Sequence, residues 1–79
     1  MELREIFGRN VRRARLDRGL SIEALALAAD RSYSYVGEIE RGIRNPTLSV
    51  VEALARSLDV PPHILLGPLN TELPAARHR

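Results

Sequence analysis

The sequence contains no cysteine and no lysine. Without thiols, neither a disulfide nor a thiolate metal site can staple the chain; this leaves the cellular compartment open. Aromatic side chains are limited to Phe7, Tyr33 and Tyr35. Two-residue alternation of apolar and polar positions is missing, so no strand is expected. No apolar run approaches the length of a membrane span. The opening Met1-Glu2-Leu3-Arg4-Glu5 is charged too early for a secretory signal, and a cytoplasmic protein without a membrane partner is the expectation. No paired-carboxylate, Ser-His or phosphate-loop pattern occurs. His63 sits beside prolines and His78 near the end, neither with acidic or histidine neighbours at ligand spacing. No catalytic residue, no metal site and no cofactor is therefore expected.

The 79 residues suffice for one small domain, whose modest core gives modest stability. A net charge of +2 says little by itself. Its distribution says more, because all twelve cationic side chains are arginine and Arg4, Arg9, Arg12, Arg13, Arg15 and Arg18 crowd the first twenty residues. Only Glu2, Glu5 and Asp17 oppose them there. The planar guanidinium fork suits phosphate; a coding bias towards arginine is the alternative explanation.

Apolar periodicity divides the chain into five short helices. Leu3, Ile6, Phe7, Val11 and Ala14 recur at spacings of three and four, which predicts a first helix over about 2–18, with Gly19 at its C-terminal cap. Ser21 is a good N-cap and Glu23 suits a first turn; Ile22, Leu25, Ala26 and Ala29 form the buried face of a second helix. Asp30 follows as a left-handed stop, a conformation aspartate tolerates better than most residues. Ser32 caps a third helix whose core contacts are Val36 and Ile39 and whose end is Gly42. Asn45-Pro46-Thr47 is a turn and an N-cap. Leu48, Val51, Leu54, Ala55 and Leu58 predict a fourth helix over 48–58. Pro61-Pro62 opens a fifth, filled by Ile64, Leu65 and Leu66 and closed by Gly67-Pro68. Asn70 to Arg79 lacks periodicity and is expected to be a flexible tail, leaving residues 1–69 as the all-α domain.

The second and third helices are joined by only Asp30-Arg31-Ser32. So tight a link forces a steep crossing, the helix-turn-helix geometry. In that geometry the second helix of the pair enters the DNA major groove, with its N-terminal residues towards base edges. Val36 and Ile39 face the core, which leaves Tyr33, Ser34, Gly37, Glu38 and Arg41 outward. A glycine inside a helix costs about 1 kcal/mol relative to alanine. Close approach to another backbone would explain Gly37, and so would drift at an exposed site.

Ser21 to Val60, and less tightly the arginine-rich helix before it, resembles the XRE-type helix-turn-helix domain of phage repressors and small bacterial regulators, a five-helix lambda-repressor-like fold. The resemblance is carried by Arg15, Gly19-Leu20-Ser21, Glu23, Leu25-Ala26, Ala29, Ser32, Ser34-Tyr35-Val36, Ile39-Glu40-Arg41-Gly42, Arg44-Asn45-Pro46-Thr47 and the fourth-helix stripe. It implies a sequence-specific regulator of transcription bound to double-stranded DNA. Position by position, it implies that Tyr33, Ser34 and Glu38, with Gly37 between them, lie against base edges, where Glu38 can accept from a cytosine amino group. It places Ser21, Tyr35, Arg41, Arg44, Asn45 and Thr47 at the DNA backbone. It also implies that Arg15 and Glu40 bridge the first helix to the recognition helix. The chain departs from the pattern at three positions: Ile22 stands for a phosphate-binding glutamine, Asp30 for glycine and Arg31 for an apolar turn residue. Arg31 is expected to snorkel its charge towards the DNA backbone.

A lone domain of this kind specifies few base pairs, and dimers on half-sites about one helical turn apart solve this. Of the apolar residues after the fourth helix, Val60 and Leu65 are expected in the core, and Ile64, Leu66 and Leu69 in a homodimer interface on a pseudo-palindromic operator. In size the chain resembles the controller proteins of restriction-modification systems; RNA polymerase is a further candidate partner. The alternative is an antitoxin or small phage regulator acting as a protein-interaction module as well as, or instead of, a DNA binder.

Overall fold

Local cap chemistry sets where the helices begin. The computed structural model describes residues 1–68, which form α1 (Leu3–Asp17), α2 (Ile22–Ala29), α3 (Tyr33–Glu40), α4 (Leu48–Leu58) and α5 (Pro62–Leu66). Ser21, Ser32 and Thr47 precede α2, α3 and α4, and each hydroxyl accepts from the backbone N–H three residues on, at 3.0, 3.0 and 3.2 Å. The hydroxyls of Ser21 and Ser32 satisfy amides that have no partner within their own helix, and that of Thr47 shares the Val50 amide with its own carbonyl at 3.0 Å. At α1 the Glu5 carboxylate accepts from the backbone N–H of Glu2 at 2.9 Å. Pro62 opens α5, where a missing N–H costs nothing.

The first four helices stop in the same way. A left-handed residue follows each: Gly19 (φ 69°), Asp30 (φ 58°), Gly42 (φ 77°) and Asp59 (φ 58°). The next amide then bonds back five residues: Leu20 to the Arg15 carbonyl, Arg31 to Ala26, Ile43 to Glu38 and Val60 to Ala55. This Schellman arrangement satisfies carbonyls left over at each helix end. Asp59 is a stop not expected from the apolar pattern.

α1 lies against α3 and α5, and α2 against α3 and α4. The core between them holds Phe7, Val11, Leu25, Val36, Ile39, Leu54, Leu58 and Leu65, with Val60 packed at its edge. Two predicted stripe residues are exposed rather than core: Leu3 at 56% and Leu48 at 82%. Each is the first residue of its helix, and the two line one surface groove with Phe7 and Val51. No helix among the described residues is long and apolar enough to cross a membrane.

Candidate nucleic-acid interface

The seating of α3 on α1 is the foundation of the site. Gly8 and Arg15, seven residues apart, share one face of α1. A methyl group on Gly8 would stand 2.2 Å from the Ile39 carbonyl oxygen and 3.0 Å from that of Glu40. Only glycine lets the two helices approach so closely. One turn-pair further on, the Arg15 guanidinium meets the Glu40 carboxylate twice, Nε to Oε2 at 2.6 Å and Nη2 to Oε1 at 3.0 Å. Its remaining nitrogen, Nη1, donates to the Leu20 carbonyl at 2.8 Å. The two side chains are 9% and 5% exposed. Hydrogen bonding to Glu40 raises the Arg15 pKa above its ordinary value, against the opposing effect of burial. Arg15 thereby ties α1, the turn before α2 and the end of α3 together.

With Val36 and Ile39 in the core, α3 turns Tyr33 (58% exposed) and Ser34 outward. Glu38 is half-buried. Gly37 departs from the outward placement expected of it: it is buried, and the Arg41 guanidinium folds over it, 3.3 Å from where a Cβ would be. The physical reason is the absence of a side chain, which lets a neighbouring arginine lie on the bare helix.

The loop from α3 to α4 comes back onto this face. Arg44 Nε donates to Glu38 Oε1 at 2.8 Å, and the guanidinium carbon lies 5.6 Å from the centre of the Tyr35 ring. The Glu38 hydrogen bond raises the Arg44 pKa. Spacing alone does not pair Glu38 with Arg44; the structure brings them together. Asn45 is exposed beside them in the chain. The Ser21 and Thr47 hydroxyls spend a lone pair on capping, which leaves each O–H free to donate outward. Arg31 is half-buried in the turn, and its Nε is buried with no hydrogen-bond partner among the described residues.

Two supporting residues carry no motif signal in the sequence. Gly8 is one. The other is Asn10, buried on the apolar stripe of α1, whose Nδ2 donates to the carbonyls of Leu65 and Gly67, both at 2.9 Å. A polar residue on an otherwise apolar face was the available signal. Asn10 fixes the end of α5, where Ile64 and Leu66, the residues expected in a dimer interface, lie. That surface is divided: Ile64 lines a groove with Asn10, Arg13 and Leu58, whereas Leu66 lines a separate one with Leu3, Phe7, Leu48 and Val51. Leu69 lies outside the described residues.

A tight α2–α3 turn, an α3 held by its inner edge and a polar outer face together define a helix-turn-helix protein. The chain belongs to the helix-turn-helix family, whose pattern it matches over residues 11–65, and it is a DNA-binding regulator of that class. It is similar to the control protein C.BamHI of Bacillus amyloliquefaciens, 40% identical over 65 residues that cover 81% of this chain and 80% of that protein. Its structure resembles that of the restriction-modification controller protein C.AhdI from Aeromonas hydrophila, with TM-score 0.76 and 42% identity over 78% of this chain and 94% of that one. It also resembles the controller protein C.Esp1396I, solved as a tetramer in complex with its natural 35 base-pair operator, with TM-score 0.75 and 26% identity over 82% and 86% of the two chains.

Proposed function

We propose that this protein is a homodimeric controller of a restriction-modification system that binds a pseudo-palindromic operator near its own gene. The observation that carries the proposal is the outer face of α3. Tyr33 and Ser34 are exposed at its N-terminal end, on a helix whose inner edge is fixed by Gly8 and by the Arg15–Glu40 pair. The likeness to C.BamHI and C.AhdI supports the controller role.

Tyr33, Ser34 and Glu38 face base edges in the major groove, where acceptor and donor patterns distinguish all four base pairs. Gly37, covered by Arg41, acts by letting that arginine lie flat. Arg41, Arg44, Asn45 and Tyr35 meet the sugar-phosphate backbone, joined by the hydroxyls of Ser21 and Thr47 at two helix N-termini, which favour phosphate. Arg31 adds its charge from the turn. These contacts position the protein and carry no sequence information directly. Dimerisation uses the apolar surface around α5, with Leu66 continuing onto exposed Leu48 and Leu3 and with Ile64 on its other side. The protein acts in the cytoplasm, where the DNA is.

The test is a titration of fluorescent duplexes, one from the region upstream of the protein's own gene and one of random sequence, at several salt concentrations. The proposal expects at least about a thousandfold preference for the upstream duplex. It also expects log affinity to fall with log salt by about 0.9 per phosphate contacted. Equal affinity for the two duplexes would contradict it.

A further inference from the structure

Of the two carboxylates on α3, Glu40 is buried against Arg15, and Glu38 faces the loop before α4, where it holds Arg44. That contact joins a residue positioned for bases to one positioned for phosphate. Arg44 is 54% exposed and Glu38 29% exposed, so the pair lies at the edge of solvent and exchanges partners easily. A partly exposed ion pair of this kind contributes little to stability. The Tyr35 ring beside the guanidinium carbon gives the arginine a second weak contact, by cation–π attraction.

We propose that Glu38 is a latch on Arg44, which couples base recognition to backbone contact. In the free protein the Glu38 carboxylate occupies the guanidinium and cancels its charge. Where the groove offers an amino donor, as cytosine does, Glu38 accepts from that donor instead, and Arg44 is released to a phosphate. Where no donor is offered, the carboxylate keeps its arginine, and the complex has one effective phosphate contact fewer. Glu38 then contributes specificity chiefly by weakening binding to wrong sequences, which is discrimination against competitors rather than added affinity for the target. The proposal rests on the DNA-binding reading above and adds the residue-level device to it.

A double-mutant cycle on a random duplex tests the latch. Glu38→Gln keeps the side-chain length and removes the charge. Binding of wild type, Glu38→Gln, Arg44→Ala and the double variant is measured against salt, with folding of each checked by thermal melting. The latch expects Glu38→Gln to tighten random-duplex binding about fivefold or more and to steepen the salt slope by about 0.9, the value of one added phosphate contact. It expects both changes to vanish in the Arg44→Ala background. If Glu38→Gln has no effect, or the same effect with and without Arg44, the latch is overturned while the DNA-binding reading stands. If wild type binds neither random nor upstream duplex, both fall together.

Discussion

The Arg15 guanidinium holds the Glu40 carboxylate through two of its nitrogens, and both side chains are almost wholly withdrawn from solvent. Removing one partner strands the other as a buried unpaired charge. Glu40→Ala and Arg15→Ala are therefore each expected to cost about 3–5 kcal/mol, measured by urea denaturation. A much smaller loss would show that the pair is solvated. Because the Arg15 pKa is raised, the sign follows: its contribution is complete below the ordinary arginine range and is lost only as pH rises through the elevated value. No loss attributable to Arg15 is expected between about pH 6 and pH 9.

Gly8 and Gly37 both lie inside helices, yet the same substitution is expected to act on them in opposite directions. At Gly8 the new methyl meets backbone oxygen of α3, and backbone cannot step aside without moving the recognition helix. Gly8→Ala is expected to destabilise by about 1–3 kcal/mol and to weaken DNA binding. At Gly37 the only obstacle is the tip of Arg41, which is free to swing out. Gly37→Ala is expected to stabilise by up to about 1 kcal/mol through helix propensity. Thermal melting of the two variants decides the point: equal shifts of the same sign would contradict the packing described for α1 and α3.

Asn10 is expected to be irreplaceable by alanine. Its amide satisfies the carbonyls of both Leu65 and Gly67, and deleting it leaves these groups without their donor at a cost of about 1–3 kcal/mol. The loss should appear as destabilisation together with faster amide exchange in α5. Unchanged exchange in α5 would show that the helix is held by Leu65 alone.

The helix boundaries were legible in the sequence because the chemistry that sets them is local. Ser21, Ser32 and Thr47 bond amides three residues away, and Gly19, Asp30 and Gly42 supply left-handed stops within the same turn. Asp59 makes the same stop as Asp30 with the same residue type and the same φ. Periodicity misplaces Leu3 and Leu48 because it gives the direction of a side chain and not whether another segment covers it. Gly8, Asn10 and the Arg44–Glu38 contact are illegible in the sequence for a different reason. Each depends on which distant segment arrives opposite, and no spacing within one helix records that. The meeting of Arg15 with Glu40 entered through the likeness to known regulators, as did the roles assigned to Tyr33 and Ser34. The proposed base-facing roles concern a complex with DNA and have no trace in the packing of the protein alone.

The most direct test of the central claim, that the N-terminal outer face of α3 recognises base sequence, is the ratio of affinities for the upstream and random duplexes in Tyr33→Ala and Ser34→Ala variants. Both side chains are exposed, so stability should hold. The account predicts that the ratio falls about tenfold or more in at least one variant while affinity for random duplex stays near that of wild type. A ratio unchanged in both variants, with folding intact, would contradict it.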